Sequence, residues 1–388
     1  MRRDPVILGN MPERNSFIEN SLTRIAALQS EKNTFFPPGL LPSYRKNPLL
    51  MGYNRPDTNV FFTALTVFTL QQIRPQLPPV LQEKIDGIAQ KAVRQYPDFQ
   101  NKDGLKTYNF YRTPKRGQPS GHFPNGHLLH RIDHFRLPDD ADDTAMIYLT
   151  SEPSREDLLW LKQKLTEHAN LATRQVEDTY ADYVNLRAYS TWFGKNMPVE
   201  FDASVLCNLL FCIYQYDLPL NEHDYDSLEF IRSVVETGRY RREPFRCSHS
   251  YPRAALILYH VAGLLAAFDP EPLASIRVPL IRDAYAMLKA GLPIMDQVIV
   301  STSLLQLGEK PPRIDVLSIP EKEIRTYSFF IAGMLTASQN PLLNRLAQSR
   351  LVRMDWTCEA HSLALIVEYL VYLGVEGGND EKKSRISP

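Results

Sequence analysis

The chain is expected to fold as an all-α protein, an (α/α)6 toroid of alternating inner and outer helices. Three observations predict this. Apolar residues recur at spacings of three and four rather than two, with breaks at Pro, Gly, Asn and Asp. The helical segments sort into two kinds, one apolar nearly all round and one with a single charged face. After a first amphipathic segment the two kinds alternate strictly and make six pairs, the number at which known toroids close. An open solenoid would carry the same alternation and is the rival architecture.

A first amphipathic helix is expected near residues 14–29, inside an N-terminal extension of residues 1–48. The toroid would then occupy residues 49–375. Its first inner helix is predicted over 57–70 (DTNVFFTALTVFTL), and an outer helix over 80–96 follows. The second inner helix, 142–149 (DDTAMIYL), precedes an outer helix over 155–170. The third, 202–216 (DASVLCNLLFCIYQY), precedes 222–237, and the fourth, 251–268, precedes 276–290. The fifth, 294–307, precedes an outer helix over 321–338, and the sixth inner helix spans 356–373. Two long inserts, 97–138 and 171–200, interrupt the ring and are rich in aromatic residues, a composition that goes with function in loops. The polar tail, 376–388, is expected to be disordered.

The hydrophobic fraction, 44%, suits a large buried core. The formal net charge is zero, which argues against nucleic acid or an anionic membrane as a partner. No apolar run reaches the roughly 20 residues that cross a bilayer, and no secretory leader is visible. The four cysteines, Cys207, Cys212, Cys247 and Cys358, show no CxxC pair. They are expected to be reduced thiols in a cytoplasmic protein.

Three inner helices begin alike: Asp57 before Thr63-Ala64-Leu65, Asp142 before Thr144-Ala145-Met146, and Asp202 before Asn208-Leu209-Leu210. This is a degenerate repeat of about 45 to 80 residues. An aspartate at a helix start accepts from orphan N–H groups and matches the positive helix end. In a toroid the inner-helix starts gather at one end, so these acids, Asp202 among them, would also line one cavity mouth. The start at Asp139-Asp140-Ala141-Asp142-Asp143 holds more acid than capping needs. Carboxylates this crowded repel one another, so one of them should hold a proton near neutrality and serve as a general acid.

Asp140-Ala141-Asp142-Asp143-Thr144-Ala145-Met146 resembles the DxDDTA(M) motif of class II terpene cyclases, the family of squalene-hopene and copalyl diphosphate cyclases. Gln100-Asn101-Lys102-Asp103-Gly104 resembles the start of that family's QW repeats, with Lys106 in place of the tryptophan. The resemblance implies an α/α toroid in which Asp142 protonates an alkene or epoxide while Asp140 and Asp143 tune it. No cofactor would be required, apart from magnesium if the substrate is a diphosphate. Aromatic faces would stabilise the migrating cation, with candidates Tyr108, Phe110, Tyr111, Tyr189, Trp192, Phe193 and Tyr251. A diphosphate would need cations, and Arg112, Lys115, Arg116, Arg187 and Lys195 lie in the inserts. The chain is too short for two full toroids, so the cavity would be closed by its own loops, a second copy of the chain or a separate protein.

Two other chemistries remain open. Cys247, His249, Cys358 and His361 sit near inner-helix starts and have zinc-ligand side chains, though the CxH and CxxH spacings match no known signature. His122, His127, His130 and His134 crowd the insert ahead of the acid cluster. A carbohydrate-active toroid would pair Asp142 or Asp143 with Asp57 or Asp202 across the ring. A non-catalytic toroid would use every aspartate as a cap and fill its interior with side chains.

Overall fold

A computed structural model describes residues 12–30, 35–47, 49, 52–101, 105–113, 136–194, 197–332, 346, 347, 349 and 351–384. The three-and-four periodicity becomes helices α1 (Pro12–Ser30), α2 (Phe61–Ile73), α3 (Pro79–Val93), α4 (Ala141–Thr150), α5 (Arg155–Glu167), α6 (Ala203–Gln215) and α7 (Glu222–Glu236). Two single-turn helices follow, α8 (Arg239–Arg242) and α9 (Pro244–Cys247), then α10 (Ala254–Phe268), α11 (Arg277–Ala290) and α12 (Ile294–Gln306). The last are α13 (Glu321–Thr326) and α14 (Glu359–Ser384). The charged-face helices start where the local chemistry directs. Ser154 and Asn221 cap α5 and α7 in reciprocal capping boxes with Asp157 and Asp224. Gly238, at φ 66°, ends α7 in the left-handed conformation that glycine adopts without strain.

The apolar helices are α2, α4, α6, α10, α12 and α14. Each packs on the next in chain order, and α14 packs back on α2. Their facing sides, including Phe62, Leu65, Ala145, Met146, Leu206, Leu210, Leu258, Val261, Ile299 and Leu365, belong to one buried cluster. The charged-face helices flank this group: α3 packs on α2, α7 on α6, and α11 on both α10 and α12. The first amphipathic helix, α1, packs on α14 and α3. Among the described residues no helix is long and apolar enough to cross a membrane.

The chain is mostly helical but not all-α. A four-stranded antiparallel sheet runs in the order β2 (Tyr53–Pro56), β1 (Tyr44–Asn47), β4 (Met354–Thr357), β3 (Ser328–Ala332). It overturns two helix expectations. Residues 321–338 do not form one helix, because α13 stops at Thr326 and β3 follows. Trp356 does not open the sixth apolar helix but lies in β4. Ser328-Phe329-Phe330-Ile331-Ala332 is a short apolar run rich in strand-forming side chains, and periodicity cannot separate such a run from a buried helix. Its pairing depends on partners distant in sequence: β4 also pairs with β1, joining Arg45 to Trp356.

Asp57 locks this sheet to the start of α2. It accepts hydrogen bonds from Trp356 Nε1 (2.8 Å), Asn59 Nδ2 (3.0 Å) and the Tyr111 hydroxyl (3.2 Å), and it pairs with Arg45. Burial opposes the Arg45 charge, but Asp57, Tyr111 and Tyr53 more than offset it. The N-cap position of α2 is Val60, and the side chain that reaches the first turn is that of Asn59, which accepts from the Phe62 N–H at 3.2 Å, and not that of Asp57. Anchored there, the sheet lays Phe330 against Phe61, Phe62, Phe110 and Trp356, over the apolar interior.

Candidate active site

The acid cluster opens α4, and each residue there has a separate task. Asp140 is the N-cap, accepting from the Asp143 N–H at 2.7 Å. Its backbone is clamped on the other side by the second insert: the Ala141 N–H donates to the Thr191 carbonyl (2.8 Å) and the Phe193 N–H to the Asp139 carbonyl (3.1 Å). The Thr144 hydroxyl donates to the Asp140 carbonyl (2.7 Å) and accepts from the Tyr108 N–H (3.1 Å), tying the first insert to the same turn. Asp139 turns away to accept from Asn101, Thr107 and Asn109. Ala141, Ala145 and Met146 are fully buried against neighbouring helices.

With Asp140 capping, Asp142 is released from that duty. Its carboxyl is buried, 7% exposed, and meets two side chains from elsewhere in the chain. Asn208 Nδ2, on α6, donates to Oδ1 at 2.7 Å, and the Tyr251 hydroxyl donates to Oδ2 at 2.6 Å. Burial pushes this carboxyl up to about 7. The bonds from Tyr251 and Asn208 restrain that rise, while the charges of Asp140 and Asp202 add to it. Burial also pushes Asp140 up to about 6 and Asp143 well above the usual carboxylate range. One Asp143 oxygen is buried without a partner, as a protonated carboxyl leaning on Asp140 would leave it. Burial thus favours the protonated form of all three acids in this turn, and Asp142, at about 7, has no cap to serve.

Tyr251 connects the acid to an aromatic cluster. Its ring lies 4.7 Å from His260, 5.9 Å from Phe329 and 6.4 Å from Phe330. Asp202 stands nearby but is committed: it caps α6 through the Ser204 and Val205 N–H groups and accepts from the Ser248 hydroxyl and the Ser250 N–H.

Of the residues singled out in the sequence, the side chains of Asp140, Asp142, Asp143, Asp202 and Tyr251 come together. Tyr108, Trp192 and Phe193 meet the turn only through their backbones, and the other side chains go elsewhere. The Tyr111 hydroxyl serves Asp57, and the Tyr189 hydroxyl serves Asp224 (2.9 Å), which also holds Lys162. Arg112 pairs with Asp98 at the surface, and Arg187 with Glu222 and Asp226. Tyr108 lines an outer cavity of about 780 Å³ with Tyr148, Lys106 and Asp157. Trp192 lines a second, of about 340 Å³, with His168 and Met197, and Phe193 packs edge-on to His168. Asp142 lines neither cavity. Lys195, Lys115, Arg116, the four insert histidines and residues 102–104 of the QxxDG match lie outside the described residues.

The four zinc candidates are not assembled into a site. His249 Nε2 faces Asp178 at 3.1 Å; burial works against its charge, but Glu200 and Asp178 hold it up at about 9. Burial pushes the Cys247 and Cys358 thiols up to about 12. Among the described residues no three His, Cys, Asp or Glu side chains converge on a metal position. Asn208 and His260 are site residues that the sequence reading misses. Each is a polar side chain in the middle of an apolar helix, and that was the signal available. Comparison of the chain with protein-family models, with curated proteins and with solved structures finds no match.

Proposed function

We propose that this chain cyclises a linear isoprenoid by protonation, with Asp142 as general acid. The observation that carries the reading is the Asp142 carboxyl: buried, oriented by Asn208 and Tyr251, and poised at about 7 where a proton donor works best. The resemblance of Asp140–Met146 to the DxDDTA(M) motif supports it. The same reading takes the cyclic packing of α2, α4, α6, α10, α12 and α14 as the inner ring of an (α/α)6 toroid.

In this chemistry the Asp142 proton goes to a terminal alkene carbon, whose π electrons form the new C–H bond. The resulting tertiary cation is attacked by the next double bond, and the aromatic faces of Tyr251, Phe329 and Phe330 stabilise the positive charge. The reaction requires no cofactor; a diphosphate substrate would bring magnesium with it. The reading places the protein in the cytoplasm, in keeping with four buried, unbridged cysteines. It leaves closure of the site to the chain's own inserts, a second copy or another protein.

The test is incubation of the protein with linear prenyl diphosphates and with squalene. Cyclised products are expected from the wild type, and Asp142→Asn should lower their formation by about a thousandfold. Identical product profiles from the two proteins would sink the assignment. One observation favours a second reading, a non-catalytic scaffold: Phe329 and Phe330 fill space beside Tyr251. A sugar-hydrolysing pair is the weakest reading, because Asp57 and Asp202 are each taken up by several donors.

A further inference from the structure

The outer cavity beside Tyr108 takes no part in the acid chemistry. It holds about 780 Å³ and lies at the far end of α4 from Asp142. That volume falls within the roughly 300–1,000 Å³ of small-molecule sites. Its walls are tied in place by the fold itself. Lys106 Nζ pairs with Asp157 of α5 at 2.6 Å, the Tyr148 hydroxyl donates to the Lys106 carbonyl at 3.1 Å, and Gln100 bridges to Tyr108 through the backbone. Tyr148 is buried on α4 and meets Tyr108 edge-on at 6.3 Å, which leaves the half-buried Tyr108 ring as the aromatic wall. Around it stand the amide ends of Gln71 from α2, Gln90 from α3 and Gln100 from the first insert. None of the three makes a hydrogen bond to a described residue, and neither does the Tyr108 hydroxyl.

The charges narrow the ligand. Asp86, Glu152 and Asp157 line the cavity against Arg94 and Lys106, so a phosphate or a nucleotide would meet more acid than base. Asp86 and Asp157 already hold Arg74 and Lys106, which leaves little for a cationic ligand. An apolar ligand would strand the three amides without water or partner. The remaining class is a neutral molecule with many hydroxyls. A hydroxyl both donates and accepts, as an amide end does, and the C–H face of a sugar ring lies flat against an aromatic ring. We propose that this cavity binds a short neutral saccharide, with Tyr108 as the stacking platform and Gln71, Gln90 and Gln100 as the hydrogen-bond partners. Binding here is independent of the chemistry at Asp142.

Calorimetric titration of the full chain with maltose, cellobiose and N,N′-diacetylchitobiose is the test. At least one of these disaccharides is expected to bind with a Kd of about 1 mM or tighter. Tyr108→Ala should weaken that binding about tenfold, through loss of the stacking face. Gln90→Ala should weaken it about threefold, through loss of one hydrogen bond. Gln90 is exposed on α3, so its truncation leaves the core intact and decides the matter even where Tyr108→Ala does not fold. The proposal is overturned when none of the three binds at up to about 10 mM, and equally when binding is the same in wild type and Gln90→Ala. Displacement of the bound sugar by ATP or by farnesol overturns it too, since the cavity would then belong to an anionic or an apolar ligand.

Discussion

Asp202 and Asp142 are both buried aspartates at the start of an apolar helix, and they do different things. Asp202 is consumed by its surroundings: two N–H groups of its own helix, the Ser248 hydroxyl and the Ser250 N–H all donate to it. Asp142 gives nothing to its own helix, because Asp140 already caps α4. Its donors, Asn208 and Tyr251, come from distant segments and do not outweigh burial. A helix start needs one acid to be capped. A second acid two residues further in is left without that duty, and on the proposed reading that excess separates a structural carboxylate from a chemical one.

The largest expected effect on stability is at Asp202. Removing it leaves two helix N–H groups, one backbone N–H and one hydroxyl without an acceptor in a fully buried place. Asp202→Ala should destabilise the fold by about 3 to 4 kcal/mol, read from urea denaturation. A loss under about 1 kcal/mol would mean that the cap is dispensable, and the contrast with Asp142 would collapse.

At Asp142 the sign reverses. Its carboxyl is raised from the ordinary 3.8 to about 7 in the folded protein, so folding favours the protonated form. That favourable contribution is complete below the ordinary value and is lost as pH rises through about 7. At pH 8 the wild type buries an ionised carboxylate that Asp142→Asn lacks. The variant should therefore be the more stable protein there, by on the order of 2 to 4 kcal/mol, with the gap closing by pH 4. Equal stability at both pH values would show that Asp142 is as well compensated as its neighbour.

The start of α4 was legible in the sequence because helix caps and apolar periodicity are local signals. Helix starts at 141, 155, 203, 222 and 294 fall within a residue of where those signals point. What surrounds Asp142 was not legible. Tyr111, Tyr189 and Tyr251 look equivalent as candidate aromatic faces, yet their hydroxyls end on Asp57, Asp224 and Asp142 respectively. Tertiary packing makes that choice: Tyr251 and Asp142 are 109 residues apart. The sheet was hidden for the same reason, since β1 and β4 are short and find each other only in the folded chain.

His361 sharpens the comparison from the other side, as a buried polar group with no donors or acceptors at all. Its ring lies against Phe329 and Phe62, and both of its nitrogens are buried without a partner. His361→Leu should raise stability by about 1 to 2 kcal/mol, because it removes unsatisfied nitrogens at nearly constant volume. A thermal melt shows the direction. A fall in melting temperature would mean that the imidazole is satisfied.

The smallest expected effect is also the most specific. The Tyr251 hydroxyl is the strongest of the bonds restraining the rise of Asp142, ahead of Asn208. Tyr251→Phe keeps the ring against His260 and Phe329 and removes only that donor. The Asp142 carboxylate then loses compensation, its proton is held more tightly, and its pKa climbs further above 7 by about one pH unit. A general acid is active while protonated, so the alkaline limb of kcat/KM should move to higher pH in the variant. A limb that stays in place would show that Tyr251 does not donate to the working acid. A limb that moves to lower pH would show that the hydroxyl stabilises the protonated form. The predicted direction requires that Asp142, unlike Asp202, has its charge state set by one or two removable side chains rather than by the backbone of its own helix.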